Sequence, residues 1–232
     1  MVSIVIPVFN EALVLEKNIL QVFDFCHEHF SDAWQLIISD NNSSDATPSI
    51  ARRLSSAHSP IKYFHLPETG KGRAVLAAWQ NFPSDIYIFM DADLSVGLES
   101  LPALVAGIKS GVDIVVGSRF LSSSVVHRSL GRRFISNFLR LVLKIIFGLK
   151  VKDAPCGFKA VNQKVVDEII PHIQNQTWFF DTELLILAEK QGYKMPVRWQ
   201  ENASPKRKSR VSLFTVIKEY LKNIYRLYVS HN

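Results

Sequence analysis

Apolar runs alternate with amphipathic stretches through the first half of the chain. VSIVIPVF (2–9), WQLIISD (34–40), IKYFHL (61–66), DIYIFMD (85–91) and DIVVGS (113–118) are short and nearly continuous in apolar character. Between them 11–28, 46–57, 71–82 and 98–109 read as helices, the first clearly amphipathic. Continuous apolar strands separated by helices predict an α/β fold with a mostly parallel sheet buried on both faces.

The second half has a different rhythm. A long apolar-basic helix is predicted over 132–148, a short strand over 157–162, helices over 163–173 and 181–191, and a strand over 193–199. NASPKRKSR (202–210) is a loop by composition. Leu213, Val216, Ile217, Tyr220, Leu221, Ile224, Leu227 and Tyr228 keep helical spacing, so 212–229 is an amphipathic helix. No internal repeat or low-complexity linker interrupts the chain. The expected organisation is one domain over 1–210, followed by a basic amphipathic helix over 211–232.

Charge sharpens this picture. The 232 residues carry a net charge of +6. Residues 205–232 hold seven Lys/Arg and one acid, and residues 114–152 hold eight Lys/Arg and no acid. Two basic, apolar-rich stretches point to an anionic surface or ligand, although solvated helix faces have the same composition. Residues 134–149, the nearest approach to a membrane span, are too short and carry Arg140 and Lys144. No leader is expected, because no basic segment precedes the apolar start and Asn10-Glu11 follows it at once. Cys26 and Cys156 form neither a metal spacing nor a disulfide framework, so a reducing compartment is expected.

In an open parallel sheet, ligands bind beyond the carboxyl ends of the strands. Four strands end there in polar groups: Asn10-Glu11, Asp40-Asn41-Asn42, Asp91-Ala92-Asp93 and Ser118-Arg119. Two carboxylates one residue apart, where a buried strand opens into a loop, can share a hard divalent cation such as Mg²⁺ or Mn²⁺. The plain alternative is a helix cap in a surface turn. Gly70-Lys71-Gly72-Arg73 precedes a helix, where glycines let backbone approach a ligand and Lys71 and Arg73 can meet a phosphate. It fits neither the Walker nor the dinucleotide fingerprint. Asp40 to Asp45 can bond a nucleobase or ribose, or can cap the next helix. Phe180-Asp181-Thr182-Glu183 opens a helix, and its acids suit the positive end of the dipole. Hydrolase signatures are missing: there is no G-x-S-x-G elbow and no H-E-x-x-H.

Taken in order, these pieces resemble the family 2 glycosyltransferases of GT-A fold, and within them the polyprenyl-phosphate sugar transferases. The matching segments are Ile6 to Glu11, Ser39 to Asp45, Gly70 to Gly72, Asp91 to Leu94, Gly117 to Arg119, Arg132 to Asn137, Asp153 to Lys159 and Phe180 to Leu185. The resemblance spans about residues 2–211. It implies a GT-A, Rossmann-like domain whose nucleotide-sugar pocket is lined by Pro7, Asn10, Glu11, Asp40, Lys71, Asp91, Ala92 and Asp93. Asp40 would lie near the base, and Asp91 and Asp93 would hold the metal. Arg119, Arg132 and Ser136 match positions that hold an acceptor phosphate, and Arg210 would close over the site. Phe180, Asp181 and Glu183 would shape the sugar end.

There are departures. Many relatives have two acids where this chain has Asp40-Asn41, and many have Gln where it has Ser95.

The implied reaction is inverting transfer of a hexose from a nucleoside diphosphate sugar to a polyprenyl or dolichyl phosphate. UDP-glucose is slightly favoured over GDP-mannose as donor. A phosphate monoester is already anionic near neutral pH, so the acceptor needs no general base. Cations are needed instead. The 132–149 segment and the tail helix would hold the enzyme on the cytoplasmic face of a membrane, without spanning it. The tail could equally pack on a second subunit. No nucleic-acid partner is expected. The competing readings are a glycosyltransferase that elongates a saccharide, a nucleotidyltransferase, and a membrane-binding protein without catalysis.

Overall fold

The computed structural model describes residues 1–118, 130–151, 154, 156–195, 197–200 and 213–230, with backbone alone at 118, 130–136, 197–200, 213 and 214. Strands β1 (Val2–Val8), β2 (Trp34–Asn41), β3 (Ile61–Leu66), β4 (Ile86–Met90), β5 (Ile114–Ser118), β6 (Phe158–Asn162) and β7 (Val197–Gln200) form one sheet in the order β3-β2-β1-β4-β6-β5-β7. Helices α1 (Leu15–His29), α2 (Thr47–Ala57), α3 (Lys71–Asn81), α4 (Leu101–Lys109), α5 (Leu130–Phe147), α6 (Gln163–Glu168), α7 (Phe180–Lys190) and α8 (Leu213–Ser230) accompany it among the described residues.

Strands β1, β2 and β4 are buried almost throughout, as continuous apolar runs require when helices cover both faces of a sheet. β1 pairs parallel with β2 on one side and with β4 on the other. The chain therefore winds outward from β1 in both directions. The point where strand order reverses is where an open sheet leaves a crevice beyond its carboxyl ends. Asn10 follows β1 there and Asp91 follows β4.

β6 is antiparallel to both β4 and β5 and lies between them. The sheet is thus mostly parallel, with one reversed strand. Apolar pattern marks β6 as a strand but carries no information on strand direction.

Three helices begin or end away from the expected bounds, each for a local reason. The helix expected from residue 11 starts at Leu15, because Asn10 adopts φ 54° and residues 11–14 form a turn. The segment 98–109 is a 3₁₀ turn (Leu98–Ser100) followed by α4, with Pro102 in its first turn. The segment 163–173 breaks after α6, which Asn162 caps by accepting from the Val165 N–H at 3.0 Å. Pro171, in the following 3₁₀ turn, lacks the N–H that would continue the helix.

The buried core runs from the sheet into α7 and α8, and Tyr220, Ile224 and Leu227 of α8 are part of it. Trp79, Tyr87, Phe89 and Phe180 form an aromatic chain with ring centroids 5.5–6.2 Å apart in edge-on and tilted contacts. That chain ties α3 and α7 to β4. No helix among the described residues is long and apolar enough to cross a membrane.

Candidate functional site

The loops after β1 and β2 are stitched to each other. The Asn10 N–H donates to Ser43 Oγ (2.9 Å), the Glu11 N–H to Thr47 Oγ1 (2.8 Å) and the Ala12 N–H to Asp45 Oδ2 (3.2 Å). In return Asn10 Oδ1 accepts from the N–H groups of Ser44 (2.8 Å) and Asp45 (3.3 Å). Asp45 also accepts from the Thr47 N–H at 2.9 Å, but the N-cap position of α2 is Ala46, so neither Ser44 nor Asp45 occupies it. Pro7 lies in register with Ser39 and Val8 with Asp40, which brings both loops to one edge of the sheet.

Asp40 is fully buried, and both of its oxygens are engaged. Its Oδ1 accepts from the Ser43 N–H (3.0 Å); its Oδ2 accepts from the Tyr63 hydroxyl (2.9 Å) and lies 3.3 Å from His65 Nδ1. Burial, reinforced by this contact with Asp40, pushes the Tyr63 phenol up to about 12.

Asp91 leaves the end of β4 and meets the Lys71 ammonium at 2.6 Å. Lys71 begins α3, in the Gly70-Lys71-Gly72 turn. Gly70 sits at φ +149°, and its N–H donates to the Asn41 side chain. Gly72 abuts Phe180 so closely that an added Cβ would fall 2.7 Å from the Phe180 Cβ. Burial alone would lower the Lys71 ammonium; Asp91 and Asp181 outweigh it and hold it above its ordinary value. Asp93 is oriented by an Asx turn, its Oδ1 accepting from the Ser95 N–H at 3.0 Å. The carbonyl of Ala92 accepts from the Asn18 amide of α1 at 2.7 Å.

Sequence reasoning assigned no role to several residues that build this corner. Gly157 is one: an added Cβ there would lie 2.1 Å from Asp91 Oδ2, so a glycine leaves the space the carboxylate occupies. Lys159, fully buried in β6, is another. Its ammonium donates to the carbonyls of Ala154 (2.8 Å) and Cys156 and lies 3.3 Å from Asp181 Oδ2. Burial raises the Asp181 carboxyl, while Lys159 and Lys71 pull it back. The ammoniums of Lys71 and Lys159 stand 5.6 and 5.4 Å from the Phe89 centroid. Trp178 is half-exposed beside them, with Lys71 Nζ 5.5 Å from its ring. A charged residue inside an apolar strand, as in FKAVN, was the available signal for Lys159.

The residues expected at the sugar end divide. Phe180 wedges between Gly72 and Phe89, and Asp181 belongs to the charge cluster. Glu183 is held from the other side: its carboxylate accepts from the N–H groups of Gln174 (3.2 Å) and Asn175 (3.0 Å) and pairs with Arg226 of α8 at 2.6 Å. Arg119 and Arg210 lie outside the described residues. Arg132 and Ser136 lie in the first two turns of α5, where the backbone alone is described.

Asp91 and Asp93 suit a hard divalent cation. They offer carboxylate oxygens one residue apart in the loop after β4, and Gly157, lacking a Cβ, admits the Asp91 carboxylate beside it. Among the described residues no group of three or more potential ligands forms a closed metal cage. A cation here would need further oxygens from a ligand such as a diphosphate, the arrangement Mg²⁺ favours.

The sequence profile described as "Glycosyl transferase family 2" matches residues 3–170. The chain belongs to this family. Among its curated relatives is the glycosyltransferase AglD of Haloferax volcanii, 28% identical over 211 residues, covering 88% of this chain and 34% of that protein. The dolichyl-phosphate beta-glucosyltransferase of Saccharomyces cerevisiae is 27% identical, covering 97% of this chain and 76% of that one. The dolichol-phosphate mannosyltransferase of Pyrococcus furiosus is 29% identical, over 97% and 63%. The chain thus spans about a third of the Haloferax protein and under two thirds of the Pyrococcus one.

Solved structures agree on the glycosyltransferase fold. Glucosyl-3-phosphoglycerate synthase from Mycobacterium tuberculosis, in complex with Mn²⁺, UDP and glucosyl-3-phosphoglycerate, superposes with a TM-score of 0.70 at 18% identity, covering 99% of this chain and 79% of that one. The mannosyltransferase PcManGT from Pyrobaculum calidifontis, with GDP-mannose and Mn²⁺, gives 0.63 at 19%, over 100% and 64%. The GT-A architecture expected from the motifs is the one observed.

Proposed function

We propose that this family 2 glycosyltransferase moves a hexose from a nucleoside diphosphate sugar to a polyprenyl phosphate at a membrane surface, with UDP-glucose slightly favoured over GDP-mannose as donor. The observation that carries the reading is the Asp91–Lys71 pair at 2.6 Å beside Asp93, set in the crevice where strand order reverses. The yeast dolichyl-phosphate glucosyltransferase and the Pyrococcus dolichol-phosphate mannosyltransferase support the acceptor class.

Two carboxylates able to hold a divalent cation, with a lysine beside them at one loop edge, suit a diphosphate. Lys71 offers a cation to phosphate oxygens and is already desolvated, which strengthens the interaction. A Mg²⁺ or Mn²⁺ ion held by Asp91 and Asp93 would stabilise charge on the departing diphosphate. Pro7, Asn10, Glu11 and Asp40 flank the same edge and form the nucleoside side of the pocket, with Ala92 between the two acids. Asp40 acts there through the loop it orders, since its own oxygens are engaged.

The acceptor phosphate arrives ionised, so no side chain must take a proton from it. This suits the site. Asp181 is buried and committed to Lys159, and so is placed to set the field around the donor rather than to act as a base. Arg119, Arg132 and Ser136 are assigned to the acceptor phosphate and Arg210 to closure over it. Transfer by direct displacement inverts the anomeric centre.

Two helices offer a surface for the lipid. Phe138, Leu141 and Ile145 of α5, and Leu221, Tyr225 and Tyr228 of α8, are exposed, and the two helices touch. The residues of each set are three or four apart and so share a helix face. Lys144, Lys218 and Lys222 stand among them, exposed. An apolar face edged with lysines fits an anionic bilayer on the cytoplasmic side.

The test is product formation by purified protein given a panel of nucleotide sugars, Mg²⁺ or Mn²⁺, and either polyprenyl phosphate or a free saccharide. Label in the lipid fraction supports the proposal and names the donor. Label on the saccharide alone refutes the acceptor assignment.

A further inference from the structure

Residues 174–179 form no regular element, yet most of their polar groups are held. Asn175 Oδ1 accepts from the N–H groups of Thr177 (2.9 Å) and Phe179 (3.1 Å). Glu219, one helix away on α8, accepts from the same segment four times through its Oε1. Its donors are the Asn175 amide (3.2 Å), the Thr177 hydroxyl, the Trp178 N–H (2.9 Å) and the Phe179 N–H (3.1 Å). One part of this is ordinary helix capping in trans, since the Trp178 and Phe179 amides precede α7 and a carboxylate suits the positive end of its dipole.

The other part reaches the donor site. The carbonyls of Thr177 and Gln176 accept from the N–H groups of Gly72 (3.1 Å) and Arg73 (2.9 Å). Those amides open α3 and have no partner within their own helix. Lys71 stands immediately before them, its ammonium on Asp91 at 2.6 Å and 5.5 Å from the Trp178 ring. Hydrogen bonds therefore run from α8 through the 174–179 segment into the Gly70-Lys71-Gly72 turn, and an ion pair continues them to Asp91.

We propose that Glu219 is a positioning residue for the donor site. It fixes Trp178 and the start of α3, and thereby the placement of Lys71 against the diphosphate. This rests on the reading that Lys71 and Asp91 meet a nucleoside diphosphate. It makes α8 a working part of the glycosyltransferase domain rather than an appended tail.

The experiment compares Glu219→Ala, Glu219→Gln and Ile224→Val. The last loosens the buried face of α8 without touching Glu219 contacts. Two readouts are taken on each folded variant: the Trp178 resonance in protein labelled with fluorotryptophan, assigned with Trp178→Phe, and the affinity for UDP and GDP with Mn²⁺ by calorimetry. The expected result is a displaced or broadened Trp178 resonance in Glu219→Ala, with nucleotide binding weakened at least ~10-fold, the scale for loss of an outer orienting group. Glu219→Gln, which keeps an acceptor oxygen, restores most of both, and Ile224→Val leaves both in place. An unmoved Trp178 resonance, or wild-type nucleotide affinity in Glu219→Ala, overturns the proposal. If the wild-type protein binds no nucleoside diphosphate while the resonance still depends on Glu219, the donor-site reading fails and the positioning of Trp178 stands. Should Glu219→Ala fail to fold, the same readouts are taken on Glu219→Asp, whose shorter side chain withdraws the carboxylate; unchanged values there overturn the proposal equally.

Discussion

Lys71 and Asp91 close on each other at 2.6 Å from two different loops, one opening α3 and the other ending β4. The Lys71 side chain is 15% exposed and that of Asp91 40%, so the lysine sits on the inner side of the pair. The carboxylate holds a desolvated cation at the point where a diphosphate is proposed to bind. Lys71→Ala removes one charge-assisted contact. The expected cost is about 2 kcal/mol of nucleotide affinity, or roughly 30-fold, read by titrating UDP in the presence of Mn²⁺. Unchanged affinity would separate Lys71 from the donor.

Gly157→Ala tests the cradle around Asp91. Its Cβ would fall 2.1 Å from Asp91 Oδ2, so the carboxylate must turn away. Metal affinity should fall by ~10–100-fold, followed by Mn²⁺ resonance, while the melting temperature changes little.

Arg226→Ala tests how firmly α8 is fastened. Glu183 is 1% exposed and loses the ion-pair partner at 2.6 Å. The buried carboxylate then keeps only its two amide donors, and breaking a buried pair from one side costs about 3 kcal/mol. The variant should unfold at clearly lower denaturant concentration, and Arg226→Ala combined with Glu183→Gln should recover part of that loss.

Tyr63 gives a pH signature. Its phenol ionises near 12 in the folded protein, against an ordinary value of about 10. The folded state therefore keeps a proton that the unfolded state gives up. The stability this confers is full below pH ~10 and is lost as pH rises through the folded value. Tyr63→Phe should show a shallower loss of stability between pH 10 and 12 than wild type, measured by denaturant midpoints.

Most of the sheet was legible in the sequence because its strands are buried on both faces and read as unbroken apolar runs. The place of β6 was not, since direction and neighbours depend on pairing rather than pattern. The loop edge with Asn10, Asp40 and Asp91 was legible from strand ends alone. The partner of Glu183 was not legible: an acid in the first turn of a helix shows nothing of the Arg226 it receives from 43 residues along the chain. The signal for Glu219 was present as the one acid in a basic tail, but its donors are backbone amides, which composition does not display.

The surface account makes its own prediction. Tyr225→Asp with Tyr228→Asp replaces two aromatic side chains on the exposed face of α8, 71% and 51% accessible. Flotation with vesicles containing anionic lipid should drop, with no change in melting temperature. Equal flotation would place the lipid contact elsewhere.

The central claim is that the acceptor is a phosphate already carrying charge. The most direct measurement supplies labelled donor and Mn²⁺ with a polyprenyl phosphate, and in parallel with the same polyprenol lacking its phosphate, for wild type and Asp93→Asn. The account predicts transfer to the phosphate, none to the alcohol, and loss of transfer in Asp93→Asn. Equal transfer to the alcohol, or undiminished transfer without the Asp93 carboxylate, would contradict it.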